Sequence, residues 1–242
     1  MRYGFFSDVH ANLEALEAVV GDFEKQKLDK IYFNGDAVGY GASPNECLQL
    51  IHKVADKTLM GNHDYAALGL MDTSYFNQYA RESIEWTKNA LVNGSHEIMA
   101  NFYLVYKYED FHIVHSTPKD PESWNYVLNL SEAEENFNYF SRKICIIGHS
   151  HRPVIIKKFG DRHCFIHNDT RVTIEDDFKY LINIGSVGQP RDGNPDACYL
   201  IYDTQTKKAE LRRVPYDVNK SQQKLRKVGL SPYLAERLAL GR

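Results

Sequence analysis

The sequence of 242 residues predicts an α/β fold in which two β-sheets pack face to face with helices on the outside. Strand-like and helix-like segments alternate over the first 60 residues, which is typical of parallel strands joined by crossover helices. From residue 144 onward, short β-rich segments separated by turn residues dominate. A chain of this length buries a substantial hydrophobic core without disulfides, so both halves are expected to contribute to one domain.

The first 60 residues contain three predicted strands and two predicted helices. The compact apolar segment 2–7 and the triplet Ile31-Tyr32-Phe33 have the composition of buried strands, and residues 57–60 form the third. Apolar residues recur at helical spacing from residue 12 to residue 26. A second helix is predicted to begin at Ser43-Pro44, where an N-cap residue precedes a proline, and to end near residue 55.

The remainder of the chain begins with a predicted loop over residues 65–74 and a helix over residues 75–91. Segments 102–107 and 111–115 predict an antiparallel pair, and a helix follows over residues 131–140. The second half predicts a mostly antiparallel sheet from segments 144–147, 153–159, 163–167, 171–174, 180–184, 197–203 and 208–213. The whole chain, residues 1–242, is predicted to form a single domain with a C-terminal helical tail at about residues 215–242.

Composition and charge exclude several classes of protein. The net charge of −3 argues against a protein that coats nucleic acid, and no segment approaches the roughly 18 apolar residues of a transmembrane helix. The amino terminus lacks the apolar core of a signal peptide, and the four cysteines include no C-x-x-C pair. We therefore expect a cytoplasmic protein without a membrane partner, a zinc ribbon or a disulfide framework.

Residue types that bind divalent metals lie at the ends of several predicted strands. These residues are Asp8, His10, Asp36, Asn62, His115, His149 and His151. In extended backbone, residues i and i+2 point to the same side, so Asp8 and His10 are expected to face one ion, as are His149 and His151. Each motif alone is weak, but their joint placement at strand ends predicts one metal site. His112 has the opposite parity to His115 and is expected to face away from it.

In the stretch Gly61-Asn62-His63-Asp64, neighbouring side chains suit different roles. Asn62 offers a neutral carbonyl oxygen, which suits a hard metal ion. His63 points elsewhere and need not be a ligand, and Asp64 is a candidate to orient the His63 imidazole by a hydrogen bond. The same four residues also suit an Asx turn that carries a surface histidine.

Taken in order, these motifs resemble the five motifs of the calcineurin-like metallophosphoesterases. The matching residues are Asp8-x-His10, Gly35-Asp36-x-x-Gly39, Gly61-Asn62-His63-Asp64, His115 and Gly148-His149-x-His151. The resemblance extends from residue 2 to about residue 213. It is greatest to the small bacterial and archaeal phosphodiesterase-like branch, and segment 183–191 also resembles a segment of that branch. It implies a four-layer α/β (α+β) sandwich of two mixed β-sheets flanked by helices.

The resemblance also implies a role for each matching position in a binuclear metal centre. One ion would be bound by Asp8, His10 and His151. The other would be bound by Asn62, His115 and His149, and Asp36 would bridge the two ions. His63 would stabilise the phosphoryl transition state or protonate the leaving oxygen, with Asp64 beside it.

The activity so implied is a two-metal-dependent phosphoesterase that hydrolyses phosphodiester or phosphomonoester bonds by attack of a metal-activated hydroxide. The ligands suit manganese, iron or zinc, and we favour manganese as the cofactor. The expected substrate is a small phosphorylated compound or nucleotide. Arg191 is a candidate clamp for phosphate, because a guanidinium binds phosphate in a bidentate manner. Tyr40, in a glycine-rich loop, is a candidate to stack on a base or another ring of the substrate.

Two local departures narrow the choice within the family. Protein Ser/Thr phosphatases and symmetrical diadenosine tetraphosphatases resemble this chain but carry an arginine shortly after the aspartate of the second motif, where this chain has Ala37-Val38-Gly39-Tyr40. The protein phosphatases also carry glutamate at the position of Asp64. An asymmetrical dinucleoside polyphosphate hydrolase stays an alternative. A non-catalytic scaffold of the same fold is a further alternative, which the complete ligand set disfavours.

Overall fold

Two six-stranded β-sheets form the centre of the protein in a computed structural model that describes all 242 residues. The strands are β1 (Arg2–Phe6), β2 (Lys30–Asn34), β3 (Lys57–Leu59), β4 (Val105–Tyr108), β5 (Phe111–Val114), β6 (Ile144–Ile147), β7 (Val154–Phe159), β8 (Phe165–His167), β9 (Arg171–Thr173), β10 (Phe178–Asn183), β11 (Ala197–Asp203) and β12 (Lys208–Val214). The helices are α1 (Leu13–Gln26), α2 (Pro44–Val54), α3 (Asn62–Ala67), α4 (Gln78–Ala90), α5 (Asn93–Ala100), α6 (Leu130–Asn136), α7 (Val218–Lys227) and α8 (Pro232–Leu240). No helix has the length and apolar character needed to cross a lipid bilayer.

Both sheets are mixed, with parallel and antiparallel strand pairs. Both also combine strands from early and late parts of the chain. The first sheet has the order β3-β2-β1-β11-β12-β9, and its β1, β2 and β3 are parallel, as predicted. The second has the order β4-β5-β6-β10-β7-β8, in which β5, β6 and β10 are parallel and the others antiparallel. The expectation that the second half forms a mostly antiparallel sheet of its own is therefore wrong. Strands β9, β11 and β12 extend the first sheet, because β11 pairs with β1.

The space between the sheets is filled mainly by large apolar side chains. Tyr3, Phe5 and Tyr32 of the first sheet meet Phe111 of the second, with ring centroids 5.2–5.4 Å apart between Phe111 and each of the other three. These four side chains are at most 2% exposed. Each buried aromatic contributes about 1.5–3 kcal/mol through loss of contact with water. This core holds the two sheets in register and thereby aligns their strand ends.

Helices cover the outer faces of both sheets, so the order of layers is helix, sheet, sheet, helix. Helices α1 and α2 pack on the first sheet through Leu16, Val19, Leu48 and Ile51. Helix α6 and the residues that follow it cover the second sheet. Ser43 precedes α2, as predicted, although its side chain forms no capping hydrogen bond.

Two helices differ from the prediction, because neither has a long apolar periodicity. Helix α3 begins at Asn62, where no helix was predicted, and contains the polar residues Asn62, His63 and Asp64. Helix α5 was also not predicted, and it contains Gly94, which lowers helix propensity. Both are stabilised by contacts with the rest of the fold, which local sequence does not report.

The C-terminal tail packs against the rest of the protein through α7 and α8. Leu225, Leu234 and Leu238 form a hydrophobic cluster with Tyr40 from the loop after β2 and Ala80 from α4. The tail therefore lies directly beside the loop that carries Asp36.

His112 on β5 is packed on the face of the second sheet away from the first. Its side chain is 2% exposed, its ring centroid is 6.4 Å from that of Phe140, and neither ring nitrogen has a hydrogen-bond partner. Burial, followed by the charges of Lys107 and Arg142, lowers the pKa of His112 to about 4. The folded protein therefore keeps this imidazole neutral.

This burial predicts an acid-dependent loss of stability. Because the unfolded chain binds the proton at about pH 6.5 and the folded chain only at about pH 4, the stability due to neutral His112 is complete above pH 6.5 and is lost as the pH falls to about 4. As the pH falls over that interval, the wild type is expected to lose about 1–3 kcal/mol more of its free energy of unfolding than His112→Leu does. Urea titration at each pH measures this difference. The other nine histidines are the same in both proteins, so parallel pH curves would contradict the prediction.

Candidate active site

Six parallel strand ends position the predicted functional residues at one edge of the two sheets. Strands β1, β2 and β3 lead into the loops with Asp8, Asp36 and Asn62, and β5, β6 and β10 end at the same edge of the second sheet. The carboxyl ends of parallel strands are the usual location of ligand sites in α/β folds. Backbone hydrogen bonds join these loops, for example from the Asp8 N–H to the carbonyl of Gly35 at 2.9 Å.

A first group of donor atoms is formed by Asp8, His10, Asp36 and His151, which lie within 4.8 Å of one another. His151 Nε2 is 3.2 Å from Asp8 Oδ1, and His10 Nε2 is 3.5 Å from Asp36 Oδ2. The Nε2 atoms of His10 and His151 are 3.1 Å apart. All four residues are at most 2% exposed. The group therefore offers carboxylate and imidazole ligands to one cation.

A second group shares Asp36 with the first and adds His115 and His149, again within 4.8 Å. His115 Nε2 is 3.3 Å from Asp36 Oδ2 and has no hydrogen-bond partner. Asn62 Oδ1 is also buried without a partner. Buried polar atoms normally have a hydrogen-bond partner. These two unpartnered ligand atoms, together with the shared carboxylate, therefore fit bound divalent metal ions.

The imidazoles of the predicted ligands are oriented by main-chain carbonyl groups. A carbonyl only accepts, so the ring nitrogen facing it carries the hydrogen and the other nitrogen is free to bind a metal. The pairs are His10 Nδ1 with Val38 O at 3.0 Å, His115 Nδ1 with Asn34 O at 2.7 Å, His149 Nε2 with Trp124 O at 2.9 Å and His151 Nδ1 with Gln189 O at 2.6 Å. This common pattern distinguishes the four from His63.

The electrostatics of the site favour a cation. Burial alone would raise the pKa of the Asp36 carboxyl, but His115 and then His63 hold it well below its ordinary value. Burial would lower the pKa of His115, yet the Asp36 carboxylate raises it to about 9. Burial and then the charge of His115 lower the pKa of His149 to about 3. Two buried carboxylates, those of Asp8 and Asp36, thus attract positive charge to the site.

The backbone at the site differs from the extended conformation that was predicted. Asp8 and His10 have φ values of 55° and 47°, and His149 and His151 have values of 66° and 58°. Non-glycine residues are uncommon in this left-handed region, and their clustering is typical of functional sites. The i and i+2 side chains do converge, but the reason is a tight left-handed loop and not an extended strand.

Gly61 is a glycine because its backbone lies close to the carboxylate of Asp36. A Cβ atom at Gly61 would lie 2.1 Å from Asp36 Oδ1. Any side chain at position 61 would therefore displace the carboxylate that both donor groups share.

Asp64 has a role other than the one predicted. Its carboxylate accepts hydrogen bonds from four backbone N–H groups, those of Asp36, Ala37, Val38 and Gly61. The predicted hydrogen bond to the His63 imidazole does not form, and His63 Nδ1 has no partner. Three N–H groups of the loop after β2 and that of Gly61 after β3 occupy the carboxylate, so Asp64 fixes Asp36 and the start of α3 in place.

His63 lies beside the donor groups without a carbonyl anchor. Its ring centroid is 4.8 Å from that of His10 and 4.6 Å from that of Tyr40. Burial, against the opposing pull of Asp36, lowers the pKa of His63 to about 4, and Arg191 adds to this effect. Nδ1 is buried against Gly39, so Nε2 is the nitrogen left for the cleft that the ring lines.

Tyr40 and Arg191, the two predicted substrate contacts, lie together next to His63. The Arg191 guanidinium carbon is 5.6 Å from the Tyr40 ring centroid. The main-chain N–H of Arg191 donates to the main-chain carbonyl of His151 at 3.2 Å. Tyr40 is only 5% exposed, because its ring packs between the histidines and the tail helices. Its role in stacking on a substrate stays a prediction.

An aromatic cleft of about 410 Å³ opens beside His63, Asn62 and His149. Its lining includes Tyr75, Phe76, Trp124 and Tyr126. The Tyr126 ring stacks on that of His149 at 4.0 Å, and Tyr75 is 89% exposed. These particular residues were not predicted from the sequence. They come from loops and helix ends without a motif, so only their aromatic character was visible in the sequence.

Comparison with known proteins agrees with this geometry. A family model described as the calcineurin-like phosphoesterase superfamily domain matches residues 1–207. The uncharacterized protein MJ0912 of Methanocaldococcus jannaschii is 40% identical over 240 residues, which cover 98% of this chain and 96% of that protein. A metallophosphoesterase from Sphaerobacter thermophilus has a crystal structure with a TM-score of 0.88 and 35% identity, and 100% of each chain is covered. The hypothetical protein PH1004 of Pyrococcus horikoshii shares the fold at a TM-score of 0.81 and 15% identity, over 100% of this chain and 98% of the other.

The chain is thus a metallophosphoesterase by fold, with candidate metal-ligand clusters at the expected edge of its sheets. It belongs to the calcineurin-like phosphoesterase superfamily. The predicted family and the predicted fold, two mixed sheets flanked by helices, are both confirmed.

Proposed function

We propose that this protein is a two-metal-dependent phosphoesterase that hydrolyses phosphodiester bonds, with phosphomonoesters as a second substrate class. The observation that carries the proposal is the position of Asp36, which belongs to both donor groups. A carboxylate shared in this way suits a bridge between two ions. His115 Nε2, 3.3 Å from Asp36 Oδ2, and Asn62 Oδ1 are both buried without a hydrogen-bond partner, so both are available as metal ligands. Asp8, His10 and His151 would hold one ion, and Asn62, His115 and His149 the other.

The metals, when bound, supply positive charge for the phosphate oxygens and lower the pKa of water so that hydroxide is available near neutral pH. The chain's own residues perform the remaining steps. The main-chain carbonyls hold the four imidazoles in one orientation, which preorganises the site. His63 Nε2 donates a hydrogen bond to the departing oxygen, or a proton where the negative charge of the bound phosphate raises the low pKa of the ring, because the ring lines the cleft without binding a carbonyl.

The lining of the cleft supports an aromatic group in the substrate. Tyr75, Phe76, Trp124 and Tyr126 offer faces and edges to a planar ring, and base–aromatic stacking contributes about 1–3 kcal/mol for each base. Arg191 would bind a phosphate oxygen beside His63, and its guanidinium carbon, 5.6 Å from the Tyr40 ring that itself lies 4.6 Å from the His63 ring, supports this role. A nucleotide or an aryl phosphate ester fits both features.

Metal removal provides the direct test of this function. The purified protein is dialysed against a chelator and assayed with a bis-nitrophenyl phosphate before and after addition of manganese. We expect chelation to abolish hydrolysis and manganese to restore it, because the metal-free site, with the carboxylates of Asp8 and Asp36, offers the phosphate no net positive charge. Iron and zinc are compared in parallel, since carboxylate and imidazole ligands also suit them.

The control for this experiment is the protein carried through the same dialysis without chelator. Hydrolysis that continues unchanged after exhaustive chelation, with metal content below detection, would contradict the proposed mechanism. A panel of cyclic nucleotides, dinucleoside polyphosphates and sugar phosphates then ranks the substrate classes under the same conditions.

A further inference from the structure

The aromatic cleft beside the candidate metal site is bordered by two segments of the chain, residues 71–77 and residues 120–126. These bordering segments supply four aromatic rings to its lining, and two predicted metal ligands, Asn62 and His149, line the same cleft. Asn62 Oδ1 is buried there without a hydrogen-bond partner. A substrate whose phosphate lies at the donor groups therefore has room for one of its alcohol groups between the bordering segments.

The charge of the bordering segments is negative. They contain Asp72, Asp120 and Glu122 but no lysine or arginine. Glu122 lines the cleft itself, and no lysine or arginine lines it. Lys119, the basic residue that precedes the second segment, forms an ion pair with Glu135 at 2.5 Å and does not neutralise these carboxylates. Such a wall repels a further phosphate group and attracts positive charge.

The aromatic rings of the cleft leave ring faces open to a ligand. The Tyr126 ring stacks on the His149 imidazole through one face, with centroids 4.0 Å apart, so its other face points away from that residue. Tyr126 is 45% exposed and Tyr75 is 89% exposed. The Phe76 ring lies 5.1 Å from that of His63 and extends the lining toward the candidate metal site. The face of an aromatic ring carries partial negative charge and attracts a cation.

We propose that the cleft selects phosphodiesters in which one alcohol group carries a fixed positive charge, such as a quaternary ammonium group. This inference rests on the proposed phosphoesterase function and narrows it. Ring faces and the Glu122 carboxylate attract the same cation, whereas a neutral ring gains from the aromatic contacts but not from the negative charge. Arg191, the proposed phosphate clamp, does not line the cleft and so leaves its charge negative.

The test uses two phosphodiesters of the same shape, methyl phosphocholine and methyl 3,3-dimethylbutyl phosphate. They differ only in a terminal nitrogen or carbon atom, and hence in one positive charge, and neither contains an aromatic ring. Their inhibition constants are measured against hydrolysis of a bis-nitrophenyl phosphate by the manganese-loaded protein. The wild type is expected to bind the cationic ester about tenfold more tightly than the neutral one.

Two variants at exposed positions, Glu122→Gln and Tyr75→Ala, assign this preference to the cleft. Each is expected to reduce the ratio of the two inhibition constants by about two- to fivefold, and the double variant is expected to lose most of the preference. Glu122→Gln removes a charge but no apolar surface, so its affinity for the neutral ester is expected to stay at the wild-type value. Metal content per chain is measured in each variant to show that the donor groups are intact.

Glu24→Gln is the matched control, because Glu24 is an exposed glutamate on α1 that does not line the cleft. It is expected to keep the wild-type ratio of inhibition constants. Equal inhibition of the wild type by both esters, inhibition by neither, or a preference that the double variant retains would overturn the inference. Failure of the proposed function is a separate result, which absence of metal-dependent hydrolysis of a bis-nitrophenyl phosphate by the wild type would show.

Discussion

Replacement of Asp36 by asparagine is expected to lower kcat/KM on the order of 10³-fold, the largest effect of any single conservative change at the site. Asp36 Oδ2 lies 3.5 Å from His10 Nε2 and 3.3 Å from His115 Nε2, so one oxygen serves both donor groups. The amide is neutral and is a weaker bridging ligand. The metal-derived stabilisation of the phosphate, several kcal/mol, would then be lost in large part.

The measurement is metal content per chain together with steady-state hydrolysis of a bis-nitrophenyl phosphate. Asp36→Asn is expected to hold about one ion or fewer where the wild type holds two. Asp22→Asn is the matched control, because Asp22 is a partly buried carboxylate that pairs with Tyr199 and Arg212. It should keep the metal content although it loses an equal charge. Full metal content and activity in Asp36→Asn would rule out the shared-ligand interpretation.

The residues of the candidate site could be predicted from the sequence because strand ends and ligand types coincide. Asp8, Asp36, His115 and His149 each follow an apolar segment, and parallel strands bring such positions to one edge. The geometry of the convergence could not be predicted. The left-handed backbone at Asp8 and His149 is imposed by hydrogen bonds between loops that are distant in sequence.

Tertiary contacts also determine the surroundings of Asp64, His149 and Tyr40, which could not be predicted from the sequence. Asp64 follows His63 directly, so an orienting hydrogen bond was a reasonable expectation, but the N–H groups of the loop after β2 occupy its carboxylate. Trp124 orients His149 through its carbonyl, and a main-chain group leaves no signal in a side-chain pattern. Leu234 and Leu238 of α8 pack with Tyr40, so the tail reaches the edge of the site through a tertiary contact that no motif indicates.

Replacement of His63 by alanine is expected to leave metal content unchanged and to lower turnover by about 10²–10⁴-fold, the usual contribution of acid–base catalysis. The four predicted histidine ligands each direct one nitrogen to a carbonyl and the other to the donor groups. His63 has no such carbonyl partner, and its Nδ1 is buried against Gly39. Loss of metal from His63→Ala would show that His63 is a ligand. His52→Ala, at an exposed position, controls for the removal of an imidazole.

The identity of the leaving group provides the sharper test, because a proton donor matters most when the departing oxygen is basic. A nitrophenolate leaves readily without a proton, whereas an alkoxide such as a sugar hydroxyl needs one. The loss of turnover in His63→Ala is therefore expected to be about tenfold or more greater for an alkyl ester than for a nitrophenyl ester of the same phosphate. Equal losses for both esters would assign His63 to stabilisation of the phosphoryl group, since that contribution does not depend on the basicity of the leaving oxygen.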